Sequence, residues 1–97
     1  MKEFLTEYQV KELNAKLFTF PKTEVSLDQL SKIMPGCIEF GGYYWYINVI
    51  VNPNSFTVEY RNHSKQEAII TSTSYDLIDA YYDVILQLVE EIQYRYE

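Results

Sequence analysis

Few side chains in this sequence could do chemistry on their own. His63 is the only histidine and sits in a polar stretch, Arg61-Asn62-His63-Ser64-Lys65-Gln66. Its imidazole titrates near neutral pH and could move a proton, but a histidine in a polar turn reads first as a solvated residue. Cys37, the only cysteine, follows Pro35-Gly36 and opens an apolar strand, where a thiol is expected to be buried and inert. Glu39 and Glu59 fall on neighbouring expected strands. An acid–base pair needs a cleft that drives two carboxyl pKa values apart, and Glu59 beside Arg61 is more simply a surface ion pair. The sequence has no cysteine pair, no HxxxH and no acidic loop of calcium-binding spacing. Gly41-Gly42 reads as a turn, since no phosphate-loop pattern surrounds it. The expectation is a protein without catalytic residues, metal or cofactor.

Groups suited to binding are more plentiful. Asp79, Asp83, Gln87, Glu90 and Tyr94 recur at steps of three and four, which puts them on one stripe of a helix, with Asp76 and Tyr82 beside it. An ordinary solvated helix face mixes lysine with glutamate, and this one holds almost no lysine. A row of carboxylates flanked by tyrosines suits a basic surface. A second candidate is a strand face showing Tyr44 and Tyr46, with Thr57 and Glu59 on the next strand. The candidate contact residues are therefore Asp79, Asp83, Glu90, Tyr82, Tyr44 and Tyr46. Replacing Asp79, Asp83 and Glu90 by lysine is expected to leave folding intact and to weaken partner binding at low salt.

The elements that must position these residues are legible from period and punctuation. Thr73 to Glu97 reads as a long helix whose apolar stripe is Leu77, Ile78, Tyr81, Ile85, Leu88, Val89, Ile92 and Tyr96, with Thr73 and Ser74 as its entry. Lys2 to Leu17 reads as a first helix, with Phe4, Leu5, Tyr8, Leu13 and Leu17 inward, and Phe18 to Val25 as a connection. Ser26 to Met34 is a short helix opened by a Ser26/Gln29 capping box and stopped by Pro35-Gly36. Cys37–Phe40 and Tyr43–Val51 flank the Gly41-Gly42 hairpin turn. In the second strand Tyr43, Trp45, Ile47, Val49 and Val51 alternate as the face expected to meet the helices. Phe56–Arg61 follows, with Phe56, Val58 and Tyr60 inward and Thr57, Glu59 and Arg61 outward. Glu67–Ser72 closes the set. Short connections make a meander. The fold class is α+β: a two-layer domain in which a three- to four-stranded antiparallel meander is covered by the long C-terminal helix, with two helices at the N-terminus.

At 97 residues the chain is read as a single domain. Nearly half of it is hydrophobic and ten residues are tyrosine. Charge is unevenly placed: residues 1–65 balance seven acids with seven bases, whereas 66–97 carry seven acids against Arg95 alone, so the net −6 arises in the last third. A field of that sign repels nucleic acid and anionic membranes and attracts basic proteins. With one cysteine, a charged N-terminal segment unlike a signal peptide and no membrane-spanning apolar run, a cytoplasmic location is expected.

One stretch resembles a known family. The Glu59-Tyr60-Arg61-Asn62 step, the polar turn through Lys65 to Glu67, and the helix YDLIDAYYDVILQLVEEIQYRYE together resemble small immunity proteins of bacterial polymorphic toxin systems. Those pair a "gYhyv…ERGkE" strand and turn with a "deLlYwif…yE" helix. Gly42-Tyr43-Tyr44-Trp45 matches the first part, and Leu77-Ile78 to Tyr81 the helix; Tyr60 and Asn62 depart from the ERG step. The resemblance implies a protein that binds and blocks a cognate toxin. Size and charge alone also suit a phage-encoded inhibitor of a host defence nuclease, of the anti-CRISPR kind. A third reading is a homodimeric interaction module burying Tyr44, Tyr46 and Ile50 between copies. The expected partner is a basic protein, toxin or nuclease, rather than nucleic acid or membrane.

Overall fold

The computed structural model describes residues 2–17 and 24–91. The elements in order are α1 (Glu7–Leu17), α2 (Leu27–Ile33), β1 (Cys37–Phe40), β2 (Tyr43–Val51), β3 (Phe56–Asn62), β4 (Glu67–Ser74) and α3 (Leu77–Glu90). The strands form one antiparallel sheet in the order β1-β2-β3-β4, each paired to its neighbour in sequence. α3 packs on β3 and β4, and α1 and α2 pack against α3. This is the α+β two-layer meander that the sequence implies.

Local chemistry sets the boundaries, and it moves two of them from their expected places. α1 starts at Glu7 rather than Lys2 because Thr6 and Gln9 form a reciprocal cap: Gln9 N–H donates to Thr6 Oγ1 at 3.2 Å and Thr6 N–H donates to Gln9 Oε1 at 2.9 Å. Just before Thr6, Phe4 bridges to Ser26 and Leu5 N–H donates to the Val25 carbonyl at 3.0 Å. α2 begins as expected, with both halves of the Ser26/Gln29 capping box formed. At the other end, Thr73 and Ser74 belong to β4, paired with Thr57 and Phe56, so α3 begins only at Leu77 with Asp76 as N-cap. Residues 18–23 of the expected Phe18 to Val25 connection lie outside the described residues, as do Ile92, Tyr94 and Tyr96, which were expected on the C-terminal helix. The Gly41-Gly42 turn has φ of +63° and +83°, the doubly left-handed pair that a type I′ hairpin demands and glycine allows.

The core is built from Leu5, Val10 and Leu13 of the N-terminal segment, Leu30 of α2, Trp45, Val58, Tyr60 and Ile70 of the sheet, and α3. α3 buries more than its expected stripe: Ala80, Tyr82 and Val84 join Ile78, Ile85 and Leu88. The reason is that its flank away from the sheet is covered by α1. Of the residues expected inward on the first helix, Phe4 (which precedes α1) and Tyr8 are instead exposed, and Val10 takes the buried place. Along β2 only Trp45 is buried and Ile47 partly so, while Tyr43, Val49 and Val51 are exposed. α3 lies over β3 and β4, so the far end of β2 extends past its helical cover.

Candidate partner-binding site

The acidic helix and the tyrosine strand face have different structural fates. On α3, Asp79 is half-buried against the N-terminal segment: Lys2 Nζ lies 2.6 Å from its Oδ1 and Gln9 Nε2 donates to the same atom at 3.0 Å. Burial pushes the Asp79 carboxyl up, but the bonds from Lys2 and Gln9 and the lysine charge outweigh it and hold it below the usual carboxylate range. Glu90 is ion-paired with Lys16 of α1, and that hydrogen bond raises the lysine above its ordinary value. Asp83 is exposed and accepts from Ser72 Oγ at 3.0 Å. Tyr82 is only 6% exposed. Burial first, then the hydrogen bond to Glu12, pushes its hydroxyl far up. The ring that was expected beside the acidic stripe is thus a core residue tying α3 to α1, and it offers a partner nothing.

Tyr44 and Tyr46 stand on the sheet face turned away from the helices, 56% and 50% exposed. Register explains their neighbours. Tyr44 is opposite Glu39 and Tyr46 is opposite Cys37 on β1, while Tyr46 is opposite Arg61 on β3. The Tyr44 hydroxyl is raised chiefly by its hydrogen bond to the Glu39 carboxylate, with the charge of that group adding to it. Cys37 is exposed, against the expectation of burial, because β1 is an edge strand and alternation places Cys37 on the open face.

On the same face, along the neighbouring strand β3, lies a pair the sequence placed on the surface. Glu59 points to the open face, yet it is only 4% exposed. Arg61, two residues on along the same strand, donates from Nε and Nη2 to its carboxylate, and Asn48 Nδ2 donates at 3.1 Å. The Arg61 bond, against the cost of burial and with help from Asn48, holds Glu59 below its ordinary value. Glu39 and Glu59 do not stand on neighbouring strands. β2 separates their strands, Glu39 being opposite Tyr44 and Glu59 opposite Asn48. A β-bulge at Tyr60/Arg61 accompanies the pair.

Asn62, in the polar stretch that precedes His63, is the buried last residue of β3. Its Nδ2 donates to the Tyr44 carbonyl at 3.1 Å and its Oδ1 accepts from Lys65 N–H at 2.8 Å, so one side chain locks the tyrosine strand to the following turn. Gln66 closes that turn at φ +54°. Lys65 lies over the Tyr43 ring, 4.2 Å from Nζ to centroid. Between these groups is an open cleft of about 480 Å³ lined by Tyr44, Tyr46, Asn62, His63, Ser64 and Lys65. His63 sits at its rim, exposed, and among the described residues no hydrogen bond orients its ring. The cleft presents tyrosine rings, the His63 imidazole, the Ser64 hydroxyl and the Lys65 ammonium. No group of three or more metal-binding side chains occurs among the described residues, and no helix among them is long and apolar enough to cross a membrane.

No protein-family model, no curated protein and no solved structure matches this chain.

Proposed function

We propose that this chain is a non-enzymatic binding protein that inhibits a basic partner by occluding its active or substrate-binding surface. The role fits an immunity protein acting in the cytoplasm of a toxin-producing bacterium, the family that its second half resembles. The observation that carries the reading is the exposed sheet face, where Tyr44 and Tyr46 stand beside Glu39 on one neighbouring strand and the Glu59–Arg61 pair on the other. Aromatic anchors held on a strand and flanked by fixed groups supply lasting affinity at low entropic cost. The chain's net charge of −6 supplies long-range attraction to a basic surface and speeds the encounter. Of the six candidate residues, Tyr44 and Tyr46 carry the contact, Asp83 contributes to the field, and Asp79 and Glu90 act within the fold.

The test is capture of partners by the tagged protein at low and high salt, followed by Tyr44→Ala and Tyr46→Ala. One basic protein that is released as salt rises, and is lost with either tyrosine variant, is the expected result. Cys37 provides a second readout, because it lies opposite Tyr46 on the same face: partner binding should protect it from alkylation. Binding that survives both tyrosine variants but fails with Asp83→Lys returns the contact to the helix. The identity of the captured protein distinguishes a toxin from a defence nuclease.

A further inference from the structure

At the end of the sheet away from the tyrosine cleft, part of one edge is open. β1 pairs with β2 only from Tyr43 to Tyr46, and one more backbone bond, from Ile47 N–H to the Gly36 carbonyl at 3.1 Å, ends the contact. β2 runs on to Val51. Successive residues of an antiparallel strand aim their N–H and C=O groups to alternate sides. Since Ile47 aims at β1, Val49 and Val51 aim the same way, past the point where that chain has turned into α2. Among the described residues nothing pairs with them on that side. Two donors and two acceptors therefore face outward along a strand edge, at the spacing another strand requires.

The side chains around this edge are apolar. Val49 and Ile50 are exposed and Val51 is 74% exposed. Exposed edges are usually guarded by lysine, inward charge or a bulge. Here no charged residue occurs anywhere from 40 to 58, and the bulge lies in the β3–β4 pairing.

We propose that this edge pairs with the same edge of a second copy, joining the two sheets into one continuous sheet about a two-fold axis. In that register Val49 of each chain is hydrogen-bonded opposite Val51 of the other, and Ile50 faces Ile50 across the axis. β-branched pairs then meet on both faces of the new ladder, and the interface is isologous. Charge selects the occupant. Two chains of −6 repel wherever acidic surface meets acidic surface, and an uncharged end is where they can approach within a screening length. A basic partner is drawn instead toward the acids. The pairing leaves the Tyr44/Tyr46 cleft free, so it stands apart from the inhibitory contact proposed above.

Sedimentation of the whole chain over a wide range of concentration tests this, with amide exchange as a backbone readout. The expected result is a species of twice the chain mass that grows with concentration and with added salt, while the Val49 and Val51 amides become protected in step. Val51→Lys, at a position with little packing to lose, and Ile50→Lys, which sets two like charges on the axis, should each weaken dimerisation about tenfold or more while the circular dichroism is unchanged. A monomer at every concentration overturns the proposal. So does a dimer that ignores both variants, or one broken only by Tyr46→Lys, which would put the tyrosine face in the interface. Loss of partner capture with intact dimerisation would overturn the inhibitory reading alone.

Discussion

The helical layer and the outer face of the sheet are both rich in groups that bind proteins, yet only one leaves them free. Two of the three acids of α3 meet cations from the N-terminal part of the chain, Asp79 with Lys2 and Glu90 with Lys16. Tyr82 between them is in the core. Among the described residues no helix lies over the sheet's outer face, and its tyrosines remain exposed. A stripe on a helix is thus a promise about direction only. Whether it reaches solvent depends on what a distant segment lays across it, whereas the outer face of a sheet covered on one side has nowhere else to look.

The sharpest way to break this contrast is to truncate one tyrosine on each side. Tyr82→Ala empties a buried aromatic site and should cost about 3–5 kcal/mol, read as a large drop in the urea midpoint. Tyr44→Ala removes a half-exposed ring and should leave the midpoint where it was while partner affinity falls by tenfold or more. If Tyr82→Ala were neutral, α1 would not cover α3 as described.

The Glu59–Arg61 pair comes next. Arg61→Ala leaves a buried carboxylate with only Asn48 beside it, and an orphaned buried charge of this kind costs about 3 kcal/mol. Its pH signature can be signed. Glu59 has a folded pKa below its unfolded value, so its contribution is present above the ordinary carboxylate pKa, about 4.3, and is lost as pH falls through the folded value. Arg61→Ala should shrink that acid-side loss, because the largest depressing partner is gone. Unfolding curves between neutral and acidic pH for both proteins check it; an unchanged acid slope would mean that Arg61 does not set the Glu59 ionisation.

Much of the fold was legible because its signals are local. Gly41-Gly42 demands positive φ, Ser26 and Gln29 cap each other, and YYWYINVIV alternates at strand period. Thr6-x-x-Gln9 carries the same capping signature as Ser26-x-x-Gln29, and reading it would have started α1 in the right place. The site was legible only in part. Tyr44 and Tyr46 follow from alternation. The burial of Tyr82, the partners of Asp79 and the role of Asn62 depend on residues far away in sequence, and no spacing rule reports them. Thr73 and Ser74 were ambiguous for a physical reason: a hydroxyl suits a helix entry and a β-branched threonine suits a strand, and pairing with Thr57 and Phe56 decided it.

The triple reversal Asp79→Lys, Asp83→Lys, Glu90→Lys sharpens the comparison on the helix side. From the sequence it is expected to be silent for folding. The structure makes it a disruption of the α1–α3 contact, with about 1 kcal/mol lost at the Asp79 pair alone. Asp79→Asn isolates that term. Its folded pKa is depressed, so the stabilisation exists above about pH 3.9 and fades as pH falls through the folded value. The wild-type chain and Asp79→Asn should therefore differ in thermal midpoint at neutral pH and converge in acid. A difference that persists in acid would assign the loss to packing rather than to the Lys2 ion pair.

The smallest effect belongs to Asp83. It is exposed, its one described contact is the Ser72 hydroxyl, and Asp83→Lys should change stability by no more than about 0.5 kcal/mol. The substitution moves the formal net charge from −6 to −4 without touching either tyrosine. If the field only steers and the sheet face holds, the association rate with the basic partner falls at low salt, the dissociation rate stays constant, and the difference vanishes as salt is added. Stopped-flow association at two ionic strengths separates these terms. A faster dissociation rate would place Asp83 inside the interface, and the contact would then extend from the sheet's outer face around to the helix.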